Sequence, residues 1–166
     1  VYTSSDIIGI ELGGSIKNVI ALAAGILDGL GLGDNTKAAL MTRGITEISR
    51  LGIKMGGRME TFCGLSGIGD LIVTCTSNHS RNHNAGYLIG KGYTTQAAMD
   101  EVKQVVEGVY SAKAAWALAQ KYDVNMPIVE EINHVLFEGI SAMDAMYNLL
   151  GRGKSMEYPD CGWEEA

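Results

Sequence analysis

One lysine stands apart by its surroundings. Lys17 is the only charged side chain between Glu11 and Asp28, in a segment otherwise made of apolar, glycine and small polar residues. At helical spacing its face is shared by Ile10, Gly13, Gly14, Ile20, Ala21 and Ala24. An ammonium set there either snorkels out along packed surface or faces a cleft. In a cleft, a poorly solvated amine can give a proton and take it back during turnover. Gly13 and Gly14 each cost a helix about 1 kcal/mol relative to Ala. Close approach of another backbone or of a ligand would offset that cost. On pattern alone a lysine at a helix edge remains an open alternative.

Two further stretches could do chemistry. In Gly64-Leu-Ser-Gly-Ile-Gly-Asp70, glycines ahead of an acid let the backbone run close to something. The plain reading of Asp70 is a helix cap. In Asn78-His-Ser-Arg-Asn-His-Asn84, Arg81 offers a planar donor fork suited to phosphate, with Ser80 and Asn82 as neutral donors beside it. No Asp or Glu falls between Asp70 and Asp100, so a local positive field is expected. A helix starting here would add backbone N–H groups. A solvated turn is the competing reading. His79 and His83 stand four apart, but no acid or thiol ligand lies near them in sequence, so no metal site is expected. Val105-Val-Glu-Gly108 reads as a strand end or loop.

The elements that must position these residues are helices. An unusually apolar helix is expected from Ile7 to about Leu30, followed by a second that Asp34 or Asn35 caps and that runs to about Arg50. A short helix near Gly56 to Phe62 leads into a glycine-rich turn, Gly64 to Gly69, and Asp70 opens another helix. A polar loop from Thr76 runs into a helix near Asn84. Thr94 caps a stretch to Glu101, and Ser111 to Tyr122, Pro127 to Glu138 and Ser141 to Leu150 complete the set. The fold class is all-α, with a short strand at each margin. Met41, Met55, Met59, Met143 and Met146 read as core filling.

Composition narrows the function classes. With 166 residues, 46% of them hydrophobic, the chain suits one domain with a real core. A net charge of −6 disfavours a nucleic-acid partner. The longest apolar run, Val19 to Leu27, is too short for a membrane span, and no secretory signal is expected. Cys63, Cys75 and Cys161 lack C-x-x-C spacing and read as reduced thiols of a cytoplasmic protein. No glycine fingerprint for a dinucleotide follows a strand.

Four blocks together resemble the bacterial NAD(P)-dependent glycerol-3-phosphate dehydrogenases: Ile10-Glu-Leu-Gly-Gly-Ser-Ile-Lys-Asn-Val-Ile20, Gly64-Leu-Ser-Gly-Ile-Gly-Asp-Leu-Ile-Val-Thr-Cys75, Ser80-Arg-Asn82 and Val105-Val-Glu-Gly108. The likeness runs from about Val1 to Lys154. It implies a helical bundle of the 6-phosphogluconate dehydrogenase C-terminal-domain type, with the N-terminal Rossmann domain absent from this chain. Residues 1–6 would then be a linker or the end of that domain, residues 7–154 the helical substrate-binding and catalytic domain, and residues 155–166 a polar tail.

The implied reaction is reversible reduction of dihydroxyacetone phosphate to sn-glycerol 3-phosphate with NADH or NADPH, for glycerophospholipid synthesis. Lys17 would be the proton donor and acceptor. Asp70, Ser80, Arg81 and Asn82 would join Lys17 in binding substrate, while Arg81, Val105 and Glu107 would touch the dinucleotide. Asn18 is assigned a supporting hydrogen bond and Thr74 a place on the cleft wall. The chain alone would hold half a site and be inactive, and its exposed apolar cleft wall would favour a homodimer. A related hydroxy-acid dehydrogenase, or a non-catalytic helical interaction or dimerisation module, are the competing readings. The last requires Lys17 and Arg81 on different surfaces.

Overall fold

A computed structural model describes residues 2–153. Nine α-helices occur among them: α1 (Ile7–Gly29), α2 (Asp34–Lys54), α3 (Met59–Phe62), α4 (Asp70–Thr76), α5 (Arg81–Gly90), α6 (Thr95–Val102), α7 (Glu107–Tyr122), α8 (Pro127–Asn133) and α9 (Ala142–Leu150). One π-helical turn, Leu65–Gly69, leads into α4, and another, His134–Glu138, follows α8. No strand forms among the described residues, so the strand expected at the N-terminal margin is not there. The Cys161 thiol and the tail lie outside the described residues.

The axis of the domain is α1, about 35 Å long at the usual rise. Val19 through Leu27 are buried without interruption, because α2, α5 and α7 surround them. By length and composition α1 could cross a membrane, with a mean hydropathy of 1.5 over its best window. Its apolarity here serves burial in protein, as expected of a helix apolar nearly all round.

The closest packing is against α5. A Cβ added to Gly25 would lie 2.0 Å from the His83 carbonyl oxygen, and one on Gly86 would lie 2.0 Å from the Leu22 carbonyl oxygen. Gly29 and Gly90 repeat the pattern one turn along, at 2.3 Å from the Tyr87 and 2.4 Å from the Ile26 carbonyl oxygens. Four glycines, two per helix and four residues apart, thus bring the two backbones into contact, the same device that small residues supply elsewhere.

Three carboxylates fasten the ends. Asp6 caps α1, accepting from Gly9 N at 2.9 Å, and also from Arg58 N at 2.8 Å and Thr61 Oγ1 at 2.6 Å. Those three hydrogen bonds hold its carboxyl below the usual range. Glu47, in the middle of α2, is buried and accepts from Ile128 N at 2.9 Å and Val129 N at 3.4 Å. It satisfies the start of α8, whose own cap residue, Met126, offers no side-chain bond. Burial pushes Glu47 up to about 7 against these bonds. The third, Asp28 in the last turn of α1, accepts from Lys37 on α2 and meets His83 on α5.

Several local expectations shift. Neither Asp34 nor Asn35 caps α2; Gly33 occupies the cap without a side-chain bond. Residues Glu107 to Tyr110 belong to α7, which therefore starts earlier than Ser111. Met59 and Met143 are exposed rather than core. Cys75 is buried and burial pushes its thiol up to about 12, while Cys63 is exposed.

Candidate active site

The candidate side chains come from the middle of α1, the starts of α4, α5 and α7, and the α6–α7 connection. The long helix α1 carries Lys17 and Asn18 side by side. Its two adjacent glycines have separate jobs. Gly13 lets the Ser66 carbonyl come within 3.0 Å of where a Cβ would stand, so the backbone of the π-helical turn rests directly on α1. At Gly14 a Cβ would meet nothing within 4 Å, and the residue lines an open cleft.

Asp70 does not cap a helix. Gly69 before it is already helical, at φ −61° and ψ −51°, so the π-helical turn runs straight into α4 and leaves no free N-terminus there. Its carboxylate instead receives the Lys17 ammonium. Thr74, one turn on, donates its hydroxyl to the Asp70 carbonyl at 2.6 Å and lines the cleft. The Lys17 side chain is 19% exposed. It is neither stranded in the core nor in bulk solvent.

The start of α5 supplies the third wall. Ser80 is the cap, accepting from His83 N at 3.3 Å. Arg81 projects outward, and its guanidinium donates to Glu107 Oε1 at 2.6 Å. Asn82 turns inward and is buried. Its amide nitrogen donates to Asn18 Oδ1 at 3.0 Å, and its oxygen accepts from Gly108 N at 2.8 Å. Both ends of that amide are therefore engaged, which makes Asn82 the joint between α1, α5 and α7. Asn18 in turn donates to the Gly14 carbonyl at 3.3 Å.

These walls enclose a cleft of about 490 Å³, lined by Gly14, Lys17, Thr74, Ser80, Arg81 and Glu107 among others. Lys17 and Arg81 thus share one cavity, and Asp70 reaches it through Lys17. Val105 lies on the α6–α7 connection, 61% exposed and outside the cleft walls. His79 sits on the rim, ahead of the helix, while His83 points into the protein, so the pair does not share a helix face. The acid-free window in sequence is not acid-free in space. Glu107 meets Arg81 and Asp28 meets His83, partners that charge patterning along the chain does not reveal.

Residues 6–147 match the family described as NAD-dependent glycerol-3-phosphate dehydrogenase, C-terminus. The chain belongs to this family. Among similar proteins, a glycerol-3-phosphate dehydrogenase [NAD(P)+] of Agathobacter rectalis is 65% identical over 164 residues, 99% of this chain and 49% of its own length. The corresponding Bacillus subtilis protein is 60% identical over 160 residues, covering 96% of this chain and 46% of its own. A crystal structure of glycerol-3-phosphate dehydrogenase from Coxiella burnetii superposes with a TM-score of 0.89 at 45% identity, over 92% of this chain and 47% of that one. The chain spans about half the length of the curated relatives it matches. As a C-terminal domain of the glycerol-3-phosphate dehydrogenase family it carries the helical part, and the cleft above is where the motif residues of the four blocks converge.

Proposed function

We propose that this domain is the substrate-binding and catalytic half of an enzyme that interconverts dihydroxyacetone phosphate and sn-glycerol 3-phosphate with NAD(P)H, feeding glycerophospholipid synthesis in the cytoplasm. The observation that carries the reading is one cleft holding a lysine on a carboxylate and, across it, an arginine at a helix start.

In the reductive direction the Lys17 ammonium donates its proton to the carbonyl oxygen as that oxygen becomes an alkoxide. The neutral amine is left against Asp70 and recovers a proton from solvent. In the oxidative direction the neutral amine accepts the hydroxyl proton. Asp70 holds the nitrogen in place and stabilises its charged form. Arg81 takes the phosphate on its planar fork, with the first turn of α5 behind it. Ser80 borders the phosphate, and Asn82 keeps Arg81 and Lys17 in register rather than spending its amide on the ligand.

The residues here fit the edge of a dinucleotide site. Gly14 leaves free space beside Lys17, and Arg81 with Glu107 forms a polar rim. The dinucleotide supplies the hydride. Most of its binding belongs to a Rossmann domain packed on this one, and exposed Val105 is assigned to contact with the dinucleotide.

The test joins this domain to a matching Rossmann domain and follows NAD(P)H oxidation with dihydroxyacetone phosphate. Turnover is expected from the pair and none from the helical domain alone. A joined enzyme that reduces a 2-keto acid and ignores the phosphate ester would overturn the reading.

A further inference from the structure

Lys17 and Asp28 are carried by the same rigid rod, α1. Asp28 lies in its last turn, and its Oδ2 accepts two hydrogen bonds from other helices: Lys37 Nζ of α2 at 2.7 Å and His83 Nε2 of α5 at 2.8 Å. Burial pushes the Asp28 carboxyl up, but the bonds and charges of Lys37 and His83 outweigh it and hold the group below its usual value. The His83 side chain is 8% exposed, and its Nδ1 is buried with no partner. Nε2 is thus the ring nitrogen that meets Asp28, and it carries the hydrogen of that bond.

His83 follows Arg81 by two residues, so the two side chains leave α5 on nearly opposite sides. One points to the cleft and the other to α1. The α1–α5 contact between them is backbone on backbone at Gly25, Gly29, Gly86 and Gly90, beside buried Ala85 and Ile89. A turn of α5 by roughly seven degrees about its axis would move a side chain that reaches roughly 8 Å from that axis by about 1 Å, and misplacement on that scale can cost a reaction about a hundredfold.

We propose that His83, tied to Asp28, is a positioning residue for phosphate recognition: it fixes the angle of α5 so that Arg81 stands at a set distance from Lys17. Asn82 ties the same turn to α1 from the other side, at Asn18. The inference rests on the reading of the cleft as a phosphate-ester site.

The experiment uses the complete enzyme containing this domain, wild type against His83→Phe and His83→Gln. Steady-state kinetics give the KM for dihydroxyacetone phosphate and for NAD(P)H, and calorimetry gives the Kd of inorganic phosphate. His83→Phe is expected to raise the KM for the phosphate ester and the Kd of phosphate by about tenfold or more, the loss expected for one buried hydrogen bond. The KM for NAD(P)H, most of whose binding lies in the Rossmann domain, is expected to rise by less than that for the phosphate ester. His83→Gln, whose amide nitrogen can stand where Nε2 stands, is expected to return both values to within about threefold of wild type. A folded His83→Phe enzyme with wild-type phosphate affinity overturns the proposal, as does a His83→Gln enzyme impaired as badly as His83→Phe. Where His83→Phe does not fold, His83→Asn, too short to reach Asp28, takes its place. A wild type that binds phosphate but does not reduce dihydroxyacetone phosphate would sink the proposed reaction, and the calorimetric comparison would still decide the role of His83.

Discussion

The ammonium of Lys17 on α1 is held by the carboxylate of Asp70 on α4, a pair 53 residues apart in sequence and partly exposed at the edge of the cleft. Because water reaches both groups, the pair is worth at most about 1 kcal/mol to folding. In the proposed reaction its value lies in proton transfer. Lys17→Ala in the complete enzyme should lower kcat by roughly 10²–10⁴-fold, with a melting temperature close to wild type. Near-normal turnover would show that another group moves the proton.

Arg81 and Glu107 make the second pair across the same cleft. Arg81→Lys keeps the charge and loses the fork. It should raise the KM for the phosphate ester by about 10–100-fold, the worth of one charge-assisted hydrogen bond. Glu107→Gln removes the competing carboxylate and should tighten inorganic phosphate, as read by calorimetry. An unchanged KM in Arg81→Lys would mean that the phosphate sits elsewhere.

Two glycines on one helix should respond in opposite ways. Gly25→Ala places a methyl 2.0 Å from the His83 carbonyl oxygen, so α1 and α5 must separate, at a cost of about 3 kcal/mol or more in urea unfolding. Gly14→Ala meets nothing within 4 Å and should gain up to about 1 kcal/mol from helix propensity. The same methyl protrudes into the cleft and should weaken substrate binding. Destabilisation by Gly14→Ala would contradict the open space seen beside it.

Glu47 and Asp6 should give stability opposite pH dependences. The folded protein raises Glu47 from 4.5 to about 7. Its stabilising contribution is therefore complete below about pH 4.5 and is lost as the pH climbs through 7, by about 3 kcal/mol in all. Glu47→Gln should flatten that part of the profile. Asp6 is lowered from 3.8, so its contribution is present above that value and lost as the pH falls through the folded one. Asp6→Asn should remove the acid-side loss. Denaturant titrations between pH 3 and 9 check both.

Val73 lines the cleft, and Leu65 and Ile72 are exposed on the same π-helical turn and helix. The isolated domain should self-associate through this wall. Sedimentation velocity over a hundredfold concentration range should show a rising weight-average mass, and joining the Rossmann domain should suppress it. A monomer throughout would mean that this wall is not adhesive.

The helical class, the burial of α1 and the special standing of Lys17 are legible along the chain, because each follows from periodicity and from one charge amid apolar neighbours within a single helix. The paired glycines were also informative: Gly13 admits a backbone and Gly14 leaves a cleft. Capping misled where continuity decided. Asp70 does open α4, but the π-helical turn before it removes the free N-terminus it would cap and releases the carboxylate to Lys17.

What the tertiary structure alone decided is which charges meet. Lys17 with Asp70, Arg81 with Glu107 and His83 with Asp28 are joined across 53, 26 and 55 residues. A local window of sequence carries no information on such distances, since Coulomb energy depends on separation in space and on water nearby, not on position along the chain. Periodicity determined that helices form and which faces they bury. The crossing of α1 and α5, set by backbones in contact, determined where the charges on those faces fall.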